Sequence, residues 1–137
     1  MRVVLSDKYP WIVDRFHVST RAYQLQTYGK DYDFAWLEDR LAALGFHLVY
    51  CVRTPESFEA ARADRLKVSG KPSQYNDLQS FVREQELMGR LVAQSILPTL
   101  HIDISDNNVA RAADQIADWM AGTGGLWARD SESDQRR

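Results

Sequence analysis

Phe46-His47-Leu48-Val49-Tyr50-Cys51-Val52 runs directly into Arg53-Thr54-Pro55-Glu56. The first seven residues are rich in β-branched and aromatic side chains over the length of a central strand. Thr54 is a helix N-cap residue, Pro55 suits a first helical position, and Glu56 puts an acid in the first turn, where the helix dipole favours it. This predicts a strand over 46–52 followed by a helix from Pro55 to about Leu66, with Phe58, Ala61 and Arg65 on one side.

Downstream, Lys67-Val68-Ser69-Gly70-Lys71-Pro72-Ser73 reads as a loop carrying cations. Tyr75, Leu78, Phe81, Val82, Met88, Leu91, Val92 and Ile96 then mark one face of a helix from about Gln74 to Ser95, ended by Pro98. Thr99 to Ile104 alternates like a strand, and Ser105 or Asp106 caps a last helix with Val109, Ala113, Ile116 and Met120 inward. Upstream, Phe34, Leu37, Leu41 and Leu44 predict a helix from Asp33 to Leu44, stopped by Gly45. A shorter helix runs to Tyr28 from a cap at Ser19 or Thr20 and is closed by Gly29. Residues 11–14, with Trp11-Ile12-Val13 after Pro10, read as a buried strand.

Strands alternating with helices predict an α/β fold with a parallel sheet flanked by helices in three layers, and ligands at the carboxyl ends of the strands. Asp14-Arg15, Arg53-Thr54 and Asp103 to Asp106 fall there. Asp14 suits Mg²⁺ held through water and Arg15 a bidentate phosphate contact; the plain alternative is a structural ion pair at a strand end. Cys51 reads as an inert core thiol, and the dispersed His17, His47 and His101 make no metal motif.

The 137 residues are 45% hydrophobic and 26% charged, which excludes a disordered chain. The 17 Lys and Arg against 19 Asp and Glu give a net charge of −2, hence no global field for a nucleic-acid polymer or an anionic membrane. One cysteine excludes an intramolecular disulfide framework, and a reducing, cytoplasmic setting is the simplest reading. No apolar run approaches the roughly 18 residues of a membrane span.

The segment Val13-Asp14-Arg15-Phe16-His17-Val18-Ser19-Thr20-Arg21-Ala22-Tyr23-Gln24 resembles thymidylate kinases. In that family a strand ends in Asp-Arg plus an aromatic residue or His, followed by a Ser and then Ala-Tyr-Gln. The downstream order, with a lid between two helices and a long helix before the last strand, also looks like the second half of this P-loop kinase fold. The resemblance implies transfer of the ATP γ-phosphoryl group, with Mg²⁺, to a deoxynucleoside or its monophosphate. Arg15 would hold the acceptor phosphate or bridge it to the donor, and Asp14 would help place Mg²⁺ or orient the phosphate loop. Ser19 and Thr20 would face the acceptor base, Tyr23 would pack under the sugar and select deoxyribose, and Gln24 completes the motif. Leu25 stands where the family often has glycine. A homodimer is compatible with the resemblance.

A lid over about 62–73 is the other expectation. Arg62, Arg65, Lys67 and Lys71 face a single acid, Asp64, in residues 62–71. Arginines over transferring phosphates suit phosphoryl transfer, and Arg62 and Arg65 are stronger candidates for catalysis than the lysines. A solvated helix end is the plain alternative.

The phosphate loop G-x-x-x-x-G-K-[ST] occurs nowhere in the sequence. Gly122-Thr123-Gly124-Gly125 lacks the lysine that must follow. Residues 1–121 are therefore expected to form a partial P-loop kinase-like domain missing its first strand and phosphate loop, with 122–137 a flexible charged tail. Three accounts stand: a C-terminal portion of a longer protein, inactive alone; a reduced fold with residues 2–5 pairing into the gap; or a small noncatalytic α/β module that binds a nucleotide or another protein.

Overall fold

The computed structural model describes residues 11–123. Residues 2–5 and the tail beyond 123, both given expectations above, lie outside the described residues. The chain is α/β. In order it forms α1 (His17–Tyr28), α2 (Ala35–Ala43), β1 (Leu48–Val52), α3 (Ser57–Leu66), a 3₁₀ turn (Pro72–Tyr75), α4 (Leu78–Val92), β2 (Thr99–Asp103) and α5 (Val109–Gly122).

β1 and β2 pair in parallel, Leu48 with Thr99 through Val52 with Asp103, and among the described residues they are the whole sheet. The strand period sends Leu48, Tyr50 and Val52 to one face. There they pack with Leu87, Met88, Leu91 and Val92 of α4 and with Val18, Ala22 and Leu25 of α1. The α1 residues are spaced i, i+4, i+7, which puts them on one helix face. Tyr50, 8% exposed, fixes this layer by donating its hydroxyl to the Gln85 carbonyl at 2.5 Å. α5 packs on β2.

Two glycines end helices as anticipated. Gly29 takes a left-handed φ of 63° after α1, and its N–H donates to Leu25 O. Gly45, at φ 78°, closes a Schellman motif after α2, with Phe46 N–H to Leu41 O and Gly45 N–H to Ala42 O.

Several expectations are corrected. Residues 11–14 form no strand, and Ile12 is 96% exposed. A strand needs a neighbour for its backbone groups, and none lies beside this segment among the described residues. Arg15 then takes a left-handed φ of 54°, bending the chain into α1. α1 starts at His17, so Ser19 and Thr20 lie inside it, and the Thr20 hydroxyl turns back to Phe16 O at 3.2 Å. The helix expected over 74–95 is shorter: Asp77 caps α4 by accepting from Gln79 N and Ser80 N, leaving Tyr75 in the 3₁₀ turn. Asn108 caps α5 rather than Ser105 or Asp106, and Val109 is 80% exposed. Ala113 is exposed as well, while Ile116 and Met120 are half-buried. Cys51 is exposed, because alternation puts it opposite Tyr50 on the side away from α4. Partial desolvation of the thiol raises its pKa above the ordinary value.

α2 turns an unexpected residue inward. Glu38 is buried with Leu41, whereas Leu44 is half exposed. Its Oε1 accepts from His17 Nε2 at 2.6 Å and from the Ser95 hydroxyl at 2.8 Å, and its Oε2 from Ile96 N–H at 3.0 Å. One carboxylate thus ties α2 to α1 and to the segment after α4. Burial pushes Glu38 upward, but these hydrogen bonds outweigh it and hold the carboxyl below its ordinary range.

Candidate functional site

The carboxyl ends of β1 and β2 are bound together by side chains. Gln85 of α4 clamps the backbone of Arg53, accepting its N–H and donating to its carbonyl, both at 2.8 Å. Thr54 N–H donates to the Ser105 hydroxyl at 2.8 Å, joining the two strand ends. Beyond β2, Asn107 adopts a left-handed φ of 55° and accepts from Arg53 Nη2 at 2.5 Å. The other terminal nitrogen of Arg53, Nη1, is buried without a partner.

Arg111 organises the loop after β2. It grips both oxygens of Asp106, at 2.8 and 3.0 Å, and donates to the Asp103 carbonyl. The guanidinium hydrogen bond, aided by Asn108 N–H, pulls the Asp106 carboxyl down to about 2. Asp103 is also held low, first by the Ser105 hydroxyl and then by its N–H.

Above these strand ends, between α3 and α4, lies a cavity of about 440 Å³. Arg53, Arg62 and Arg65 line it together with Phe58, Tyr75 and Phe81. The rings are stacked, Phe58 on Phe81 at 6.4 Å and Tyr75 on Phe81 at 6.0 Å. Tyr75 is desolvated, which raises its phenol, but hydrogen bonds from Gln74, Arg65 and Ser69 prevail and lower it. Asp64 is the only acid in the lining, and Lys67 already pairs with it at 2.8 Å. Arg62 reaches Glu59 only at 3.6 Å. Three guanidinium groups thus share the lining with three aromatic rings, a chemistry suited to anions.

Arg62 and Arg65, the two arginines of the expected lid, line one cavity with Arg53 as a third cation. Arg53 had a signal, its position at a strand end; the aromatic wall had none beyond α3 and α4 meeting in space. The other candidates lie elsewhere. Arg15 pairs with Glu84 of α4 at 3.0 Å and does not line the cavity. Asp14 is exposed, and no group of three His, Cys, Asp or Glu side chains among the described residues is placed to hold a metal ion. A lone exposed carboxylate away from the arginine cavity does not fit a Mg²⁺ centre of its own. Ser19 and Gln24 are half-buried on α1 and Thr20 is exposed. Tyr23 is exposed and meets Tyr28 edge to face at 6.1 Å. Lys71 is exposed, its N–H bonded to the Ser69 hydroxyl.

No family model, no curated protein and no solved structure matches the chain. Among the described residues, no helix is long and apolar enough to cross a membrane.

Proposed function

We propose that this chain is the C-terminal portion of a thymidylate kinase-like P-loop nucleotide kinase, a three-layer parallel α/β domain acting in the cytoplasm. The observation that carries this reading is the cavity at the carboxyl ends of β1 and β2, with Arg53, Arg62 and Arg65 beside stacked rings. In an open parallel sheet that position is where phosphorylated ligands bind.

Complete, such a protein moves the γ-phosphoryl group of ATP to an oxygen of a deoxynucleoside or its monophosphate, releasing ADP. Arg62 and Arg65 neutralise the oxygens of the moving group, and Arg53 offers its unpartnered Nη1 to a neighbouring phosphate. Arg15, whose partner Glu84 adjoins the clamping residue Gln85, exchanges that carboxylate for an acceptor phosphate oxygen. Ser19, Thr20, Tyr23 and Gln24 contribute the acceptor-facing side of α1. The phosphates of ATP would hold the magnesium, since no group of three His, Cys, Asp or Glu side chains among the described residues is placed to do so. Without G-x-x-x-x-G-K-[ST], the chain alone binds nucleotide and does not turn over.

Calorimetric titration with pyrophosphate, thymidylate and ATP tests the reading, alongside an ADP-release assay. Binding that Arg65→Ala weakens, with no ADP released, is the expected result. Phosphorylation of thymidylate by the purified chain would sink the fragment reading, and absence of binding by all three ligands would sink the nucleotide site. The exposed Trp11-Ile12-Val13 favours a second reading, a noncatalytic interaction module, which predicts protein association without nucleotide binding.

A further inference from the structure

Of the three arginines that line the cavity, Arg53 alone does not ride on α3. We propose that Gln85 of α4, which does not itself line the cavity, is a positioning residue that preorganises Arg53 for the anion.

The Val52 carbonyl faces β2, where it accepts from Ile104 N–H at 2.9 Å. Across the trans peptide the Arg53 N–H points the opposite way, to a side where no strand lies among the described residues. Backbone groups so placed need other partners. The Gln85 amide carries an acceptor and a donor on one flat group and supplies both. Its Oε1 accepts the Arg53 N–H and its Nε2 donates to the Arg53 carbonyl, each at 2.8 Å. One side chain thus stands in for a neighbouring strand. Gln85 is itself pinned to β1, because its own carbonyl accepts from the Tyr50 hydroxyl.

The far end of Arg53 is held separately, by Nη2 donating to Asn107 Oδ1 at 2.5 Å. Arg62 and Arg65, in contrast, stand on a helix that buries no residue. A cation already in place loses least freedom when a ligand arrives, so the gain from Arg53 depends on its backbone being fixed. Loosening the Gln85 clamp gives up that gain without removing any group from the cavity. The inference rests on the anion reading of this cavity.

The test is calorimetric titration of the whole chain with pyrophosphate, arranged as a double-mutant cycle. Gln85→Met keeps the length of the side chain and removes both hydrogen bonds. It should weaken pyrophosphate about three- to tenfold, with faster amide exchange at Arg53. The same factor should appear in an Arg62→Ala background, and no further loss should appear once Arg53 is Ala. A residue that merely supports the fold would cost as much in every background. If Gln85→Met does not fold, Gln85→Glu, which keeps the acceptor and loses only the donor, carries the same cycle. A wild type that does not bind pyrophosphate sinks the anion site and this role together. A wild type that binds, with Gln85 variants that bind equally well or that lose the same factor in the Arg53→Ala background, overturns the positioning role alone.

Discussion

His17 Nε2 and Glu38 Oε1 meet at 2.6 Å across the junction of α1 and α2, with both side chains nearly shut off from water. Truncating one partner of such a pair leaves the other buried and unmatched. Glu38→Ala should lower unfolding stability by about 3 kcal/mol, read by urea denaturation. The pH dependence follows from the lowered carboxyl. Because Glu38 titrates below its ordinary 4.5 when folded, it stabilises the fold above that value, and the contribution is lost as pH falls through its depressed pKa. Glu38→Gln should flatten the stability profile in that acidic window.

Gly89 sits inside α4, where glycine is a poor helix former. A Cβ added there meets Tyr50 Oη at 3.6 Å and Tyr50 Cε1 at 3.8 Å, ordinary contact distances. Gly89→Ala should therefore stabilise the chain by about 0.5–1 kcal/mol, seen as a higher urea midpoint with an unchanged slope.

Tyr50→Phe removes the hydrogen bond to Gln85 O while keeping the ring in the core. The loss should be about 1 kcal/mol. A much larger loss would mean that the hydroxyl also orders the Gln85 clamp on Arg53, which amide exchange at Arg53 would reveal.

Asp106 should titrate at about 2 in a carboxyl ¹³C NMR experiment. In Arg111→Ala the value should climb back toward the ordinary 3.8, since the guanidinium hydrogen bond is the largest cause of the shift. Because both groups are on the surface, the observable is the titration itself.

Arg53, Arg62 and Arg65 should act in concert on anions. Each single change to Ala should weaken pyrophosphate about tenfold, the scale of one charge-assisted hydrogen bond. The effect should shrink as salt rises.

How much of this was legible depended on how far the deciding partner lies along the chain. β1 and the stops at Gly29 and Gly45 rest on local chemistry, β-branching and left-handed turns, and the sequence displays both. The burial of Glu38 is opaque because its partners His17, Ser95 and Ile96 lie 21, 57 and 58 residues away. An acid between Leu37 and Leu41 looks solvated until those donors are placed. Trp11-Ile12-Val13 has strand-like composition, but composition cannot supply the neighbouring strand that extended backbone needs. Tyr75 kept helical spacing with Leu78, yet Asp77 starts the helix after it and the ring joins Phe81 instead. Arg62 and Arg65 were visible as a local excess of charge; their convergence with Arg53 required the fold.

α3, which supplies Arg62 and Arg65, buries no residue of its own. A helix held so lightly opens more readily than the layer formed by α1, α4 and β1. Whatever anion binds the arginines must draw α3 from its own conformational equilibrium, so the measured affinity is the intrinsic one scaled by the fraction of time the helix is in place. On the proposed reading, affinity for phosphate would thus be tuned from the back of α3, by changes that never touch the ligand.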